Sequence, residues 1–119
     1  MNINLFKLKL QEFTGTMLYH KISVFPILAT DGVAYFCENA SAYWLFDDMA
    51  LFTLTQKNQE FIVVNAVSKN KKCDVFFDDG NNNKLGKKHY KYTDLPEGNW
   101  KFYISNYPTE KIIMLPSEY

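Results

Sequence analysis

The sequence predicts an α+β fold, in which one antiparallel β-sheet packs against two helices, and two observations predict it. In the first half of the chain, apolar residues recur at helical spacing over residues 2–13 and 40–52. From Glu60 onward the apolar period changes to two, and short polar turns separate successive apolar runs. Short turns favour antiparallel pairing, and helices that precede the strands are typical of α+β domains.

The first predicted element is a short N-terminal helix. Leu5, Leu8 and Phe13 lie near helical spacing. Asn2 or Asn4 can cap the helix, because an asparagine oxygen accepts from the free backbone N–H groups of the first turn. We expect the three apolar side chains to form a stripe that packs on the core.

The second predicted element is a hairpin centred on Asp31-Gly32. Apolar runs at residues 27–30 and 33–37 lie on either side of this pair. An Asp-Gly pair supplies the positive φ angles that a two-residue hairpin turn requires. Pro26 precedes the first run and indicates a sheet edge or a strand start, because proline has no N–H to donate.

The third predicted element is a central helix over residues 40–52, which Asn39 can cap. Apolar residues occupy most of its circumference, so we expect it to be largely buried. One side carries Phe46, Met49, Ala50 and Thr53. Asp47 lies on an adjacent strip with Tyr43, and we expect it to anchor a turn such as residues 14–16.

The sheet accounts for the rest of the chain, with about five to seven hairpin-rich strands. The predicted strands outside the Asp31-Gly32 hairpin cover residues 17–22, 61–67, 73–77, 85–93, 100–105 and 111–115. The sequence shows no linker, repeat or low-complexity segment. We therefore predict a single globular domain over residues 1–119.

The composition excludes several classes of protein. Hydrophobic residues are 47% of the chain and aromatic residues 17%, which excludes a disordered chain. The 13 basic residues, all lysine, balance 13 acidic ones, which excludes coating of polyanions by overall charge. Arginine, which forms bidentate contacts with phosphate and guanine, is absent. No apolar run spans a bilayer and no signal peptide opens the sequence, so we expect a cytoplasmic location and no membrane partner.

The two cysteines, Cys37 and Cys73, lie in apolar, strand-like surroundings. We expect buried, reduced thiols, although the sequence leaves open whether they pair. With His20 and His89 they make up a Cys2His2 set, but the close paired spacings of zinc sites are absent. Phosphate-binding glycine loops and nucleophile motifs are also absent from the sequence. We predict no metal, no cofactor and no catalytic residue.

Charge is polarised along the chain. Residues 69–91 hold seven lysines against three aspartates, whereas residues 31–60 hold five acidic residues against Lys57. The candidate binding residues are the Lys- and Tyr-rich strand and two aromatic residues further along, namely Lys84, Lys87, Lys88, His89, Tyr90, Lys91, Tyr103 and Tyr107. Such a surface suits an acidic protein partner or single-stranded nucleic acid. Alternatively, the lysines protect a sheet edge from pairing with another chain.

Six segments occur in an order that resembles a family of small bacterial proteins of unknown function, also carried by phages and plasmids. They are residues 13–16 (FTGT), 30–33 (TDGV), 42–45 (AYWL) followed by Asp47, 79–81 (DGN), 93–96 (TDLP) and 115–119 (LPSEY). The resemblance covers nearly the whole chain. It implies a compact single domain with an accessory, mobile-element role, and it implies no activity, cofactor or catalytic residue.

These observations predict a non-enzymatic protein that binds another macromolecule. The resemblance suggests inhibition of a bacterial defence complex, such as a CRISPR effector, as one form of that binding. A protein partner is our first expectation, and a nucleic-acid-binding domain built on residues 84–91 is the alternative. A third hypothesis is a small enzyme built on His20 with Asp31 or Asp47, two residues that we otherwise interpret as structural polar groups. An exposed sheet edge would also allow a homodimer.

Overall fold

The computed structural model describes residues 2–119, which form three α-helices and one six-stranded sheet. The helices are α1 (Ile3–Gln11), α2 (Asp31–Asn39) and α3 (Tyr43–Thr55), and a short 3₁₀ helix covers Pro116–Glu118. The strands are β1 (Leu28–Ala29), β2 (Phe61–Lys69), β3 (Lys72–Asp78), β4 (Lys84–Tyr90), β5 (Gly98–Tyr107) and β6 (Glu110–Met114). The predicted class, α+β with one sheet packed against helices, is confirmed.

The strand order across the sheet is β1-β6-β5-β2-β3-β4. The five longer strands pair antiparallel, and short turns predict this for β2 with β3, β3 with β4 and β5 with β6. The pairing of β2 with β5 does not follow from a short turn, because β3 and β4 lie between them in the chain. The two-residue strand β1 pairs parallel to β6, so the sheet is mixed rather than antiparallel throughout. Parallel pairing is available because the long chain segment between β1 and β6 lets the chain return in the same direction. β1 lies at one edge, as Pro26 indicates, and the Lys-rich β4 lies at the other.

The two faces of the sheet have different surroundings, because side chains alternate along each strand. The helix face packs in the core against α2 and α3, and its strand residues include Ile62, Val64, Ala66, Cys73, Val75, Phe77, Trp100, Phe102, Ile104 and Ile113. The opposite face, which we name the open face, carries Phe61, Val63, Asn65, Asp74, Phe76, Lys87, His89, Lys101, Tyr103, Tyr107, Ile112 and Met114. Val63 and Ile112 are buried there but lie outside the core cluster.

Helix α3 buries the side that its sequence predicts. Phe46, Met49, Ala50 and Thr53 are all buried. The predicted cap is wrong: Asn39 is the last residue of α2, and its side chain donates to the carbonyl of Tyr35. The chain needs residues 40–42 to turn from one helix into the next, so Ala42 is the N-cap of α3.

The predicted hairpin at Asp31-Gly32 is wrong, because these residues open helix α2. Thr30 is the N-cap, and its hydroxyl accepts from the Val33 N–H at 3.3 Å. A local Asp-Gly signal predicts a turn, but a threonine cap with an acidic residue in the first turn also starts a helix. Further groups, distant in sequence, satisfy the remaining N–H groups of this helix start.

Helix α1 is confirmed, with Asn2 accepting from the Leu5 N–H at 3.1 Å. Its predicted apolar stripe is wrong in detail: Leu5 and Leu8 are 63% and 60% exposed, whereas Phe6 is buried. Phe6 is the residue whose ring reaches the core, where it packs 5.5 Å from the ring of Trp100.

Residues 17–22 do not form the predicted strand. Only His20 pairs there, through a single bridge to Ala29. The neighbouring Met17, Leu18 and Tyr19 are exposed. A single bridge does not make this segment a regular strand.

The two cysteines are free and buried. Burial raises the pKa of Cys37 to about 12 and that of Cys73 to about 11. Within residues 2–119, no three His, Cys, Asp or Glu side chains group closely enough to hold a metal ion. Among the same residues, none of the helices has the length and apolar character needed to cross a bilayer.

Candidate binding surface

The Lys-rich strand β4 is an edge strand whose two faces have different partners. On the open face, His89 Nδ1 lies 2.7 Å from Asp74 Oδ1, and Lys87 Nζ lies 4.0 Å from the same oxygen. The hydrogen bond from His89, with the charge of Lys87, lowers the pKa of the Asp74 carboxyl. Asp74 therefore neutralises part of the positive charge that the sequence concentrates on this strand.

On the helix face, β4 attaches to α3. Tyr90 donates a short hydrogen bond to the Asp48 carboxylate, and Lys88 Nζ lies 3.9 Å from Asp48 Oδ1. The Trp44 ring packs edge-on against Tyr90, with centroids 5.0 Å apart. Burial, followed by the bond to Asp48, raises the pKa of Tyr90. Lys88 and Tyr90 thus hold the strand in place, which leaves Lys84, Lys87 and Lys91 exposed.

Asp47 and Asp31 each hold a loop. Asp47 Oδ1 accepts from Ser23 Oγ at 2.6 Å, so the predicted anchor to residues 14–16 is wrong. The Asp31 carboxylate accepts from His20 Nε2 at 2.7 Å and from the Met17 N–H at 2.8 Å. These bonds, the one from His20 first, lower the pKa of Asp31. Of the two pairs that the enzyme hypothesis named, His20 with Asp31 is present, whereas Asp47 bonds to Ser23 instead of His20.

The start of α2 is closed by the C-terminal segment, in an arrangement we name the α2 clamp (Thr16, Thr30, Asp31, Gly32 and Glu118). Glu118 Oε1 accepts from the Thr30 hydroxyl at 2.6 Å, and Oε2 accepts from the Gly32 N–H at 3.0 Å. Thr16 Oγ1 accepts from the Asp31 N–H at 2.9 Å. Three of the six resemblance segments, FTGT, TDGV and LPSEY, therefore meet at one helix N-terminus.

Gly32 is required by this contact. A Cβ built there would lie 2.6 Å from both Glu118 Oε1 and the Leu115 side chain. The carboxylate also suits the position electrostatically, because a helix N-terminus carries partial positive charge. The α2 clamp therefore holds the C-terminal segment to the start of α2, and Glu118 occupies the position that an anion would take.

The open face carries an aromatic cluster that we define as Phe61, Tyr103 and Tyr119. The three ring centroids lie between 5.3 and 5.5 Å apart, in tilted or edge-on packing. Tyr119 is 80% exposed, whereas the other two are half-buried. Tyr107 lies further along β5 on the same face and is 46% exposed. Of the predicted aromatic anchors, Tyr103 and Tyr107 thus share one uncovered surface.

Beside this cluster lies a cleft of about 360 Å³, which we name the β5 cleft. Residues from α1, from β5 and from the segment after β6 line it. Lys7 and Lys101 are its charged residues, and Lys7 Nζ lies 5.5 Å from the centre of the Trp100 ring. Asn99, Gln11 and Ser117 add neutral polar groups.

Sequence reasoning missed four contributors to this surface: Phe61, Tyr119, Lys7 and Lys101. Phe61 and Lys101 could have been predicted from the sequence, because both lie at positions of their strands that point away from the core. Lys7 and Tyr119 carry no local signal, because they join the surface only through the packing of the two chain ends.

These contacts define a small α+β fold in which the core helices pack against one face of the sheet and not against the open face. The chain belongs to the family of unknown function DUF6876, whose model matches residues 4–119. The predicted resemblance to a family of unknown function is thereby confirmed.

A solved structure shares the fold. It is the crystal structure of a protein of unknown function from Enterococcus faecalis, at 15% sequence identity and a TM-score of 0.58. The match covers 86% of this chain and 98% of the other. At this identity the likeness shows the fold alone. No curated protein matches the chain.

Proposed function

We propose that this protein is a non-enzymatic binding domain that docks another protein on its open face. The observation that carries the proposal is the aromatic cluster of Phe61, Tyr103 and Tyr119, which lies on the side of the sheet that no core helix covers. Tyrosine and other aromatic side chains contribute strongly to binding at protein interfaces, because they bury a large area at low entropic cost.

The charge distribution favours a protein over nucleic acid. A surface that follows a phosphate backbone needs uncompensated cations. On the open face Asp74 lies between Lys87 and His89, and Asp78 lies beside Val63 on the neighbouring strand. Alternating charges of this kind suit the mixed polar rim of a protein interface.

The polar contacts of the His20–Asp31 pair support the non-enzymatic part of the proposal. Both oxygens of the Asp31 carboxylate accept hydrogen bonds from residues 17–20, so the pair holds the loop that follows α1. A structural role therefore accounts for this pair. Measured turnover of a substrate that depends on His20 would contradict this part of the proposal.

The test is capture of a partner from host-cell lysate with the tagged full chain, after nuclease treatment and at two salt concentrations. We expect a protein that forms a stoichiometric complex when purified, and that Tyr119→Ala and Tyr107→Ala weaken. The matched control is Tyr43→Ala on α3, because Tyr43 is 44% exposed and Tyr107 is 46% exposed. Size-exclusion chromatography of the isolated chain separates a homodimer from a complex with another protein.

Three results would overturn the proposal. Recovery of nucleic acid that is released by salt would favour the alternative binding strand at residues 84–91. Loss of the partner in Tyr43→Ala, with binding retained in Tyr119→Ala, would move the interface to the helix layer. A complex that tolerates all three substitutions would exclude the open face.

Inhibition of a bacterial defence complex, such as a CRISPR effector, is the narrower form of this proposal, and it rests only on the mobile-element role that the sequence resemblance implies. It predicts that the purified protein blocks target cleavage by the effector of its host in a stoichiometric manner, and that Tyr119→Ala weakens the block. Cleavage that continues unchanged at saturating protein would contradict the narrower form while leaving the binding domain intact.

A further inference from the structure

We propose that the β5 cleft takes an extended, acidic segment of the partner protein, which adds to the sheet as a strand along the free edge of β5. The inference rests on the proposed function and names the chemistry of the partner. An unpaired strand edge accepts another strand, and the charges beside the edge favour the side chains that this strand can carry.

The free edge arises because β6 is shorter than β5. The pairing of β5 with β6 ends at Tyr103 and Met114, whereas β5 itself begins at Gly98. Residues 98–102 of β5 pair with β2 on one side only. At about 3.4 Å per residue, this edge is roughly 17 Å long.

The chain after β6 no longer pairs with β5, although its short 3₁₀ helix still lies close to that strand. The Leu115 N–H donates to Glu118 Oε1 at 3.0 Å, and Pro116 has no N–H to offer to a strand. Ser117 then contacts α1, where its hydroxyl lies 3.5 Å from the Leu10 carbonyl. The α2 clamp therefore keeps the backbone of the C-terminal segment out of strand pairing with β5, although the segment lies close to that strand, and the space between them is the β5 cleft.

The cleft favours negative charge. Lys7 and Lys101 line it, and none of its lining residues among residues 2–119 is acidic. Its volume of about 360 Å³ lies within the range of about 300–1,000 Å³ that is typical of ligand sites. Trp100 and Phe102 supply an apolar floor. On an added strand with alternating side chains, acidic residues that point to the open face would meet Lys101, and apolar residues that point to the helix face would meet Trp100 and Phe102.

The two outer edges of the sheet are less suitable. On the β4 edge, Asp74 and Asp48 already lie beside Lys87 and Lys88, so these lysines attract an acidic strand less than the lysines of the β5 cleft, whose lining holds no carboxylate in the described part of the chain. The β1 edge is two residues long, and the bridge between His20 and Ala29 already occupies it. The segment of β5 at residues 98–102 is therefore the edge best suited to a new strand.

The test is a titration of the isotope-labelled full chain with a blocked peptide of alternating Val and Glu, followed by amide NMR. We expect saturable shifts of the backbone amides of residues 99–102. Lys101→Glu should weaken binding about tenfold, which corresponds to about 1.4 kcal/mol, and Lys7→Glu, whose Nζ lies over Trp100 on the helix face, should weaken it less. Lys57→Glu, at an exposed lysine outside the cleft, is the matched control and should leave the affinity unchanged.

Two further peptides separate strand addition from simple charge attraction. A Val and Lys peptide should not bind, and a Val and Glu peptide with alternate backbone nitrogens methylated should lose most of its affinity. Equal binding of the methylated peptide would overturn the inference, because backbone pairing would then contribute nothing. Shifts outside residues 98–103 only, or no saturable shift, would also overturn it.

The same variants distinguish this inference from the proposed function. If Lys7→Glu and Lys101→Glu retain the captured partner while Tyr119→Ala loses it, the open face binds the partner and strand addition is wrong. If the peptide binds as expected but Tyr107→Ala and Tyr119→Ala leave partner capture unchanged, strand addition at the β5 cleft is supported and docking on the aromatic cluster is excluded.

Discussion

The α2 clamp and the β5 cleft both bring the C-terminal segment together with a charged side chain, yet they use it differently. In the α2 clamp, the Glu118 carboxylate accepts from the Thr30 hydroxyl and from the N–H groups of Gly32 and Leu115. In the β5 cleft, Lys7 and Lys101 flank a strand edge that has a neighbour on one side only. The polar groups of the α2 clamp hydrogen-bond to one another, whereas the two lysines of the β5 cleft are exposed to solvent.

This difference separates stability from binding. A buried polar group that has its partners contributes to the fold, and its removal leaves other groups unsatisfied. A cation beside an unpaired edge contributes little to the fold, because an exposed charge is well solvated. Substitutions in the clamp should therefore change the free energy of unfolding, and substitutions in the cleft should change binding alone.

The largest expected effect is at Gly32. Gly32→Ala places a Cβ 2.6 Å from both Glu118 Oε1 and the Leu115 side chain, so these two side chains must move away from the start of α2. We expect a loss of about 1–3 kcal/mol in the free energy of unfolding, measured by urea denaturation. Gly15→Ala is the control, because its Cβ meets nothing within 4 Å, and it should change stability by less than about 0.5 kcal/mol. Equal effects would contradict the clamp.

The next effect is at Glu118. Glu118→Gln keeps the length of the side chain but removes the charge at the α2 N-terminus and one of its acceptors. We expect a loss of about 1 kcal/mol, and Thr30→Ala should lose a similar amount. Because the two side chains bond each other, the double variant should lose less than the sum. Glu110→Gln, exposed at the start of β6, is the control, and strict additivity would argue against a shared clamp.

A smaller effect is expected on the free energy of unfolding at low pH. The hydrogen bonds from His20 and Met17 hold the pKa of Asp31 below its ordinary value. A carboxyl with a lowered folded-state pKa stabilises the native state above its unfolded pKa of about 4, and this stabilisation is lost as pH falls through the folded value. Asp31→Asn should therefore unfold with a weaker dependence on pH below about pH 4, and His20→Gln should share part of this change. An unchanged acid transition would contradict it.

The smallest effect on stability is in the β5 cleft. Lys7→Glu and Lys101→Glu lie at exposed positions, so we expect the free energy of unfolding to change by less than about 0.5 kcal/mol. Partner capture and peptide binding should nevertheless weaken. Thermal unfolding of the same samples checks the first half, and a marked loss of stability would show that the cleft lysines belong to the fold.

The sequence predicted those parts of the fold that depend on local periodicity. Strands β2 to β6 follow from alternation and short turns, and the buried side of α3 follows from Phe46 and its neighbours. Helix α2 could not be predicted in this way, because Asp31-Gly32 is a turn signal in isolation. Its N–H groups are satisfied by Glu118, which lies 86 residues from Gly32 in the chain.

The candidate binding surface could likewise be predicted only in part. Tyr103 and Tyr107 could be predicted as aromatic residues of a late strand. The β5 cleft could not, because it depends on β6 ending opposite Tyr103 while α1 lies beyond the edge. Strand lengths within a sheet follow from tertiary pairing, which no local pattern encodes.

Hydrogen–deuterium exchange on the purified complex tests the central claim most directly. We expect the partner to slow exchange of the amides at residues 98–103 of β5, and to leave the start of α2 unchanged because its N–H groups are already bonded within the chain. Protection that falls on α2 and α3, with β5 exchanging as in the free protein, would contradict the claim that this protein binds through its sheet.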